Sequence, residues 1–203
     1  MHGRFLSYEA CKGMEFRIQY YLFKGEYPNP ALIKMNKNIF LTGAPSSGKT
    51  TVIKKIIKGL SHPAKGFYTE EEKKDDKRIG FMMKTLDGKS GYLGHESIPS
   101  AFRIRRYGVS IENIEHIAVP SIRPEKNCVV ILDEIGRMEC FSQLFKDAVI
   151  SALDSPSRVI GTIALGGGDF IRSIKERGDV SIIEVTPDNR DNLPGHILNL
   201  YTM

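Results

Sequence analysis

The sequence predicts an α/β fold, in which helices cover both faces of a mostly parallel sheet and an antiparallel meander is inserted. Short apolar runs alternate with amphipathic helical runs from residue 37 onward. A glycine-rich loop stands between the first of these strands and the first helix. Between residues 66 and 95, closely spaced strand-like runs and polar turns interrupt the alternation, which indicates the meander.

Strands are predicted where short runs are apolar or alternate in polarity. The run Cys128–Leu132 is apolar at every position, which is typical of a central strand in a parallel sheet. A charged turn at residues 73–77 and the Asp87-Gly88 turn separate the strands of the meander. In chain order, we predict strands at residues 38–42, 66–71, 78–84, 91–93, 128–132, 158–164 and 180–185.

Helices are predicted where apolar residues recur at a spacing of three or four. Ser110 is the expected N-cap of the second helix, and Asp169 is the expected cap of a helix that ends at Gly178. The predicted helices lie at residues 49–60, after Ser110, near 141–153, between Asp169 and Gly178, and at 188–200.

The chain has 203 residues, which is enough for one domain with its own core. Residues 1–34 are rich in aromatic side chains and end in the breaker segment Pro28-Asn-Pro30. We therefore predict that residues 1–34 are an N-terminal extension and that residues 35–203 form the domain. Apolar residues alternate between 16 and 22, so an accessory strand or a partner-binding arm is the alternative interpretation.

Composition excludes several classes of protein. No run approaches 18 apolar residues, and the N-terminus lacks an apolar signal region, so we expect neither a membrane span nor secretion. Three widely spaced cysteines and five histidines show no zinc spacing, which is typical of a cytoplasmic chain with reduced thiols. The net charge of +5 suits a polyanionic small molecule and does not indicate nucleic acid; the oligomeric state stays open.

The segment from Gly43 to Thr50 matches the phosphate-loop pattern G-x-x-x-x-G-K-[ST] in full. Its glycines allow backbone N–H groups to face phosphate oxygens, and the following helix adds its positive N-terminal end. Lys49 would contact the β- and γ-phosphates, and the Thr50 hydroxyl would ligate Mg²⁺. We predict that a Mg²⁺-bound nucleoside triphosphate is held by Gly43, Ala44, Pro45, Ser46, Ser47, Gly48, Lys49, Thr50 and Thr51.

Two carboxylates, Asp133 and Glu134, follow the apolar run Cys128–Leu132. An aspartate at the end of such a strand commonly holds Mg²⁺, and Asp133 is the predicted metal ligand. Successive strand residues point in opposite directions, so Glu134 can reach past the γ-phosphate while Asp133 faces the metal. We predict that Glu134 orients and deprotonates an attacking water, with Glu70, Glu71 and Glu139 as alternatives.

The loop after the last predicted strand is expected to form a wall of the nucleotide site. Ligands of open α/β sheets bind outside the carboxyl ends of the strands, and Thr186 follows such an end. Asn189 and Arg190, in the same loop, are the predicted contacts for the base, although a plain turn before the last helix would have the same composition.

These motifs, taken together, resemble the nucleoside-triphosphatase family first described in thermophiles, whose vertebrate members are called cancer-related nucleoside triphosphatases. The combination of GFYTEE with DEIGxME is quite specific to it. The matching segments cover residues 37 to about 197 and occur in family order: LTGAPSSGKTT at 41–51, GFYTEE at 66–71, RIGF at 78–81, RYGV at 106–109, DEIGRME at 133–139, GTIA at 161–164 and VTPDNRD at 185–191.

The resemblance implies a P-loop NTPase with a RecA-like core that slowly hydrolyses ATP, GTP, CTP and UTP with Mg²⁺. An extra cation can stabilise the γ-phosphate, and the candidates are Arg78, Arg105, Arg106, Arg137 and Arg190. Arg106, which lies in a family motif, and Arg137, which lies shortly after Asp133, are favoured among them. Residues 1–34, Arg137 itself and the glycine run at 166–168 depart from the family pattern.

Two other functions share the phosphate loop. A kinase would pass the γ-phosphate to a small molecule or a nucleic-acid end, with the meander at residues 66–95 as a lid. A nucleotide-dependent switch or scaffold would use slow hydrolysis to reset a binding state. Glu134 favours hydrolysis, because a kinase does not need a carboxylate directed at water.

Overall fold

The structure, a computed structural model, describes residues 36–200. The prediction for residues 1–34 therefore lies outside the described residues. Within them, one sheet of nine strands has the order β5-β6-β4-β3-β2-β7-β8-β1-β9. The strands are β1 Asn38–Thr42, β2 Ala64–Lys74, β3 Lys77–Thr85, β4 Ser90–His95, β5 Arg103–Ile104, β6 Tyr107–Val109, β7 Val129–Ile135, β8 Arg158–Ile163 and β9 Val180–Glu184.

Helices lie on both faces of the sheet, and none of those in the described part of the chain is long and apolar enough to cross a membrane. They are α1 Lys49–Gly59, α2 Ile111–Asn113, α3 Val119–Ser121, α4 Gln143–Asp154, α5 Asp169–Lys175 and α6 Leu193–Asn199. A π-helical turn, Ile114–Ala118, joins α2 to α3, and a 3-10 turn, Glu139–Phe141, precedes α4.

The parallel half of the sheet has the order β2-β7-β8-β1-β9, so β8 lies between the strands that lead into the phosphate loop and into Asp133. Its strands pack between two apolar layers. Ile39 and Leu41 belong to the layer that contains α1 and α6, while Phe40 belongs to the layer that contains α4 and α5. The predicted fold class is confirmed, and all carboxyl ends of these strands meet at one edge.

The predicted meander is part of a larger antiparallel region, the wing, which consists of the outer part of β2 together with β3, β4, β6 and β5. β2 pairs with β7 only over Ala64–Phe67, and its remainder pairs with β3 beyond that point. The short hairpin of β5 and β6 was not predicted from the sequence. Its turn uses Arg105 at φ 52, whereas sequence signals for such turns rely on glycine or asparagine.

Several helix limits differ from the predicted ones. Ser110 is confirmed as an N-cap, since its side chain accepts a hydrogen bond from Asn113 N. Asp169 is not a cap: Gly168, at φ 103, precedes the helix, and Asp169 is its first residue. The helix near 141 begins at Gln143, because Ser142 accepts a hydrogen bond from Phe145 N. The last helix begins only at Leu193, after a run of turns.

Candidate active site

The phosphate loop connects β1 to α1 and is shaped by two glycines. Gly43 and Gly48 have φ angles of 139° and 102°, which favour glycine. A Cβ on Gly43 would also lie 2.8 Å from the carbonyl oxygen of Val185, so a side chain does not fit there. Ser47 N donates to Ala44 O at 3.1 Å and closes the turn. The loop thus brings the N-terminus of α1 to the carboxyl edge of the sheet.

The Lys49 side chain folds back over this loop. Its ammonium donates hydrogen bonds to Gly43 O at 3.0 Å and Ala44 O at 3.2 Å. Among the residues that the structure describes, no carboxylate lies within ion-pair distance of Lys49. A phosphate would offer charged acceptors in place of these neutral carbonyls, and charge-assisted hydrogen bonds are the stronger kind. The arrangement suits phosphate binding.

Asp133 is only 1% exposed, and its two carboxylate oxygens differ in their surroundings. Oδ1 accepts a hydrogen bond from the Thr162 hydroxyl at 2.5 Å, whereas Oδ2 has no hydrogen-bond partner in the described structure. Burial raises the pKa of Asp133, although Thr162, Thr50 and the backbone of Thr69 favour its charged form. A carboxylate oxygen and a threonine hydroxyl are ligands that Mg²⁺ accepts, so Asp133 and Thr50 fit a metal ion.

Glu134 lies inside β7 rather than after it, because the strand continues to Ile135. The register between β7 and β8 shifts between Leu132 and Ile135, and the Asp133–Glu134 peptide is cis. Burial raises the pKa of the Glu134 carboxyl, and the charges of Lys49 and then Lys175 oppose that rise. The positive charges of two ammonium groups, those of Lys49 in the phosphate loop and Lys175 in α5, therefore favour the charged form of the Glu134 carboxyl.

A third carboxylate lies beside Glu134. Glu139 is 3% exposed, and burial, followed by the negative charge of Glu134, raises its pKa to about 8. Gly136 separates the two groups: a Cβ there would lie 2.7 Å from Glu139 Oε2 and 3.2 Å from Glu134 Oε1. Glu139 forms no ion pair with any described lysine or arginine.

Of the two predicted catalytic arginines, only Arg137 lies near these carboxylates. Arg106 lies between β5 and β6, on the far side of the antiparallel wing, where it pairs with Glu96 at 2.6 Å and contacts Tyr107. The Arg106 side chain is bound within the antiparallel wing, and its predicted role at the γ-phosphate stays a prediction. Arg137 is exposed and follows β7; a Cβ on Gly167 would lie 2.9 Å from its Cγ.

The predicted base contacts occupy the loop between β9 and α6. The Arg190 side chain lies over the phosphate loop, since its Cδ would be 3.5 Å from a Cβ on Gly48. Asn189 is 4% exposed; its amide accepts from Thr186 N at 3.0 Å and donates to Glu184 O at 2.8 Å. Asn189 thus shapes the loop that carries Arg190.

The alternative bases in the wing are held by cations. Glu70 pairs with Lys54 of α1 and with Lys84 at 2.6 Å, which lowers its pKa. Glu71 pairs with Arg78. Both carboxylates lie within β2, which runs on to Lys74 instead of ending near residue 71.

Sequence reasoning missed two residues of the site, Thr162 and Lys175. Thr162 stands near the carboxyl end of β8, and its polarity in an apolar strand was the available signal. Lys175, at the end of α5, gave no local signal, because only the folded chain brings it near Glu134.

In the described residues, no group of three metal-binding side chains is present. A metal that also uses phosphate oxygens does not need one.

The sequence matches a family model described as NTPase over residues 38–198. It is 42% identical to the nucleoside-triphosphatase THEP1 of Thermotoga sp. (strain RQ2), over 80% of this chain and 94% of that protein. The human cancer-related nucleoside-triphosphatase is 39% identical, over 78% and 93%. The crystal structure of THEP1 from Aquifex aeolicus superimposes with a TM-score of 0.73 at 34% identity, over 80% of this chain and 98% of that one.

Proposed function

The chain belongs to the NTPase family, and from that premise we propose that it hydrolyses nucleoside 5′-triphosphates to the diphosphate and phosphate. One observation carries the proposal: Glu134 lies near the carboxyl end of β7, at the same edge of the sheet as the phosphate loop over which Lys49 folds. A carboxylate at that point can serve a water that attacks the γ-phosphate. The relatives named above, nucleoside-triphosphatases by name, support the same reaction.

The proposed reaction divides into binding and transfer. Backbone N–H groups of residues 43–50 bind the phosphates, and the Lys49 ammonium exchanges its two loop carbonyls for phosphate oxygens. Glu134 orients a water and accepts its proton as the water oxygen bonds to the γ-phosphorus. The bond from that phosphorus to the β–γ bridging oxygen breaks, and its electron pair stays on the nucleoside diphosphate.

We propose Mg²⁺ as the metal, held by Asp133 and Thr50. The buried Oδ2 of Asp133, which lacks a hydrogen-bond partner in the described structure, supports this assignment, as does the nearby Thr50. When bound, the ion supplies positive charge to the β- and γ-phosphate oxygens. Because an isolated buried carboxylate oxygen is unfavourable, the metal would also relieve an energetic penalty in Asp133.

Further parts of the proposal concern specificity, location and domain limits. Arg190 lies over the phosphate loop, and the amide of Asn189 is used in hydrogen bonds of its own loop. We therefore propose weak base discrimination among ATP, GTP, CTP and UTP.

The free thiols of Cys128 and Cys140 support a cytoplasmic location. Because the family match begins at residue 38, we propose residues 35–203 as the hydrolase domain and residues 1–34 as an extension.

Phosphate release from the four nucleotides, without added acceptor, tests the proposal. Lys49→Ala should abolish turnover in a folded protein, because Lys49 is the side-chain cation of the phosphate loop. Lys58→Ala is the matched control, since Lys58 is exposed near the other end of the same helix, and it should keep wild-type turnover. Wild-type phosphate release from Lys49→Ala would overturn the assignment. A ratio of kcat/KM values above about one hundred between two nucleotides would overturn the weak discrimination.

A further inference from the structure

A second lysine occupies the edge of the sheet where the phosphate loop lies. Lys175 is the last residue of α5, and its ammonium donates a hydrogen bond to Leu165 O at 2.9 Å. Leu165 lies two residues after the end of β8, and the residue between them, Ala164, donates a backbone hydrogen bond to Ile135 O of β7 at 3.1 Å. Because β8 separates β1 from β7, the Lys175 ammonium lies at the carboxyl edge of the strand between the two halves of the site.

Lys175 and Lys49 are arranged alike. The Lys49 ammonium donates to two backbone carbonyls and the Lys175 ammonium to one, in each case in a glycine-containing loop, and neither has an ion-pair partner among residues 36–200. An ammonium has three N–H donors, and Lys175 uses one of them in these hydrogen bonds. Both cations act on the same carboxylate, Glu134. A cation with spare donors beside Glu134 is a group that phosphate oxygens can attract.

The loop that holds Lys175 is rich in glycine and largely exposed. It contains the run Gly166–Gly168, in which Gly168 has φ 103, and the Leu165 side chain is 57% exposed. The Leu165 carbonyl is a neutral acceptor, so its hydrogen bond with Lys175 can be exchanged for a charge-assisted one to an anion. Arg172 lies one helical turn before Lys175 but differs from it. Arg172 is exposed and forms an i,i+3 ion pair with Asp169, whereas Lys175 is half-buried.

We propose that Lys175 is a catalytic residue, which leaves Leu165 O and contacts the γ-phosphate of the bound nucleotide opposite Lys49. It stabilises the negative charge on the γ-phosphate oxygens while the bond to the β–γ bridging oxygen breaks. The cation that the sequence led us to seek among arginines is then a lysine of the same chain. This inference rests on the proposed function, because it requires a nucleoside triphosphate in the phosphate loop.

The test combines kinetics with the binding of a transition-state mimic. Lys175→Met removes the charge at nearly constant length, Lys175→Arg restores it, and Arg172→Met is the control on the same helix. For Lys175→Met we expect kcat to fall by about 10²–10³-fold, the range for loss of one preorganised donor, with KM nearly unchanged. Mg-ADP should bind as in the wild type, but aluminium fluoride should no longer tighten its binding. Lys175→Arg should recover part of both effects, and Arg172→Met should show neither.

Other results overturn the inference. If Lys175→Met retains the tightening by aluminium fluoride, or if Arg137→Ala loses it while Lys175→Met does not, Lys175 does not contact the transferred group. A parallel loss of Mg-ADP affinity and melting temperature would assign a structural role instead. These outcomes leave the proposed function intact when the wild type hydrolyses ATP and Lys49→Ala does not. Wild-type turnover in Lys49→Ala would remove both proposals.

Discussion

The Thr162 hydroxyl of β8 donates a hydrogen bond to Oδ1 of Asp133 in the neighbouring strand β7 at 2.5 Å. Thr162 is 0% exposed and Asp133 is 1% exposed, so water does not compete for this contact. The hydrogen bond occupies one carboxylate oxygen and leaves Oδ2 for another ligand. Thr162 thus orients the proposed metal ligand without being one.

Thr162→Val should weaken metal use and stability together. Valine keeps the shape of threonine but leaves Oδ1 buried and unsatisfied, which costs about 1–3 kcal/mol of unfolding free energy. We expect a lower Tm and a higher Mg²⁺ concentration for half-maximal turnover, measured by calorimetry and by titration of phosphate release. Thr162→Ser keeps the hydroxyl and should approach the wild type. An unchanged Mg²⁺ requirement in Thr162→Val would separate Thr162 from the metal site.

Gly136→Ala should disturb the carboxylates on either side of Gly136. The new Cβ would lie 2.7 Å from Glu139 Oε2 and 3.2 Å from Glu134 Oε1, and both side chains would have to move. Because a small displacement of a catalytic group lowers the rate steeply, we expect kcat to fall by about tenfold or more. Gly178→Ala is the control, since nothing lies within 4 Å of a Cβ there. Equal rates for both variants would show that the position of Glu134 is not critical.

The carboxyl of Glu139 should make stability depend on pH. Its pKa is raised to about 8 in the folded protein, from 4.5 for an ordinary glutamate, so the folded state binds its proton more tightly than the unfolded chain does. The stabilisation is complete below pH 4.5 and is lost progressively as the pH rises toward 8.

Glu139→Gln mimics the neutral form at every pH and should remove this dependence. Urea unfolding from pH 5 to pH 9 should show wild type and Glu139→Gln close together at pH 5. The variant should become relatively more stable up to about pH 8 and gain little above it. A stability difference that does not change over this range would mean that Glu139 titrates normally.

The sequence was most informative where structure depends on neighbouring residues. The phosphate loop and the central strand before Asp133 were predicted because their glycines and apolar runs determine local backbone geometry. The fold class followed from the alternation of these elements. The β5–β6 hairpin was missed because it is short and turns at an arginine.

The site was less predictable because it depends on contacts between distant segments. Arg106 belongs to a matching motif, yet the sheet order puts it on the outer wing, a position that no spacing in the sequence reveals. Thr162 and Lys175 reach Asp133 and Glu134 only through the order of β7, β8 and α5 in the fold. The contact of Asn189 with the base stays a prediction, and the sequence does not reveal that its amide forms the hydrogen bonds of its own turn.

The central claim is that Glu134 activates the water that attacks a nucleotide held by the phosphate loop. Glu134→Gln retains the size of the side chain and removes its capacity to accept a proton, whereas Asp133→Asn acts on the proposed metal ligand. Removing the base affects the chemical step, and removing the metal ligand affects affinity for the metal and the triphosphate. The two substitutions should therefore fail in different ways, and Glu112→Gln, at an exposed position in α2, is a control.

The most direct measurement is single-turnover hydrolysis of prebound Mg-ATP by Glu134→Gln, together with its nucleotide Kd. We predict a rate about 10²–10⁴-fold below that of the wild type, the usual range for loss of a general base, with Kd nearly unchanged. Hydrolysis of prebound Mg-ATP at the wild-type rate would contradict the account and assign the base to another residue.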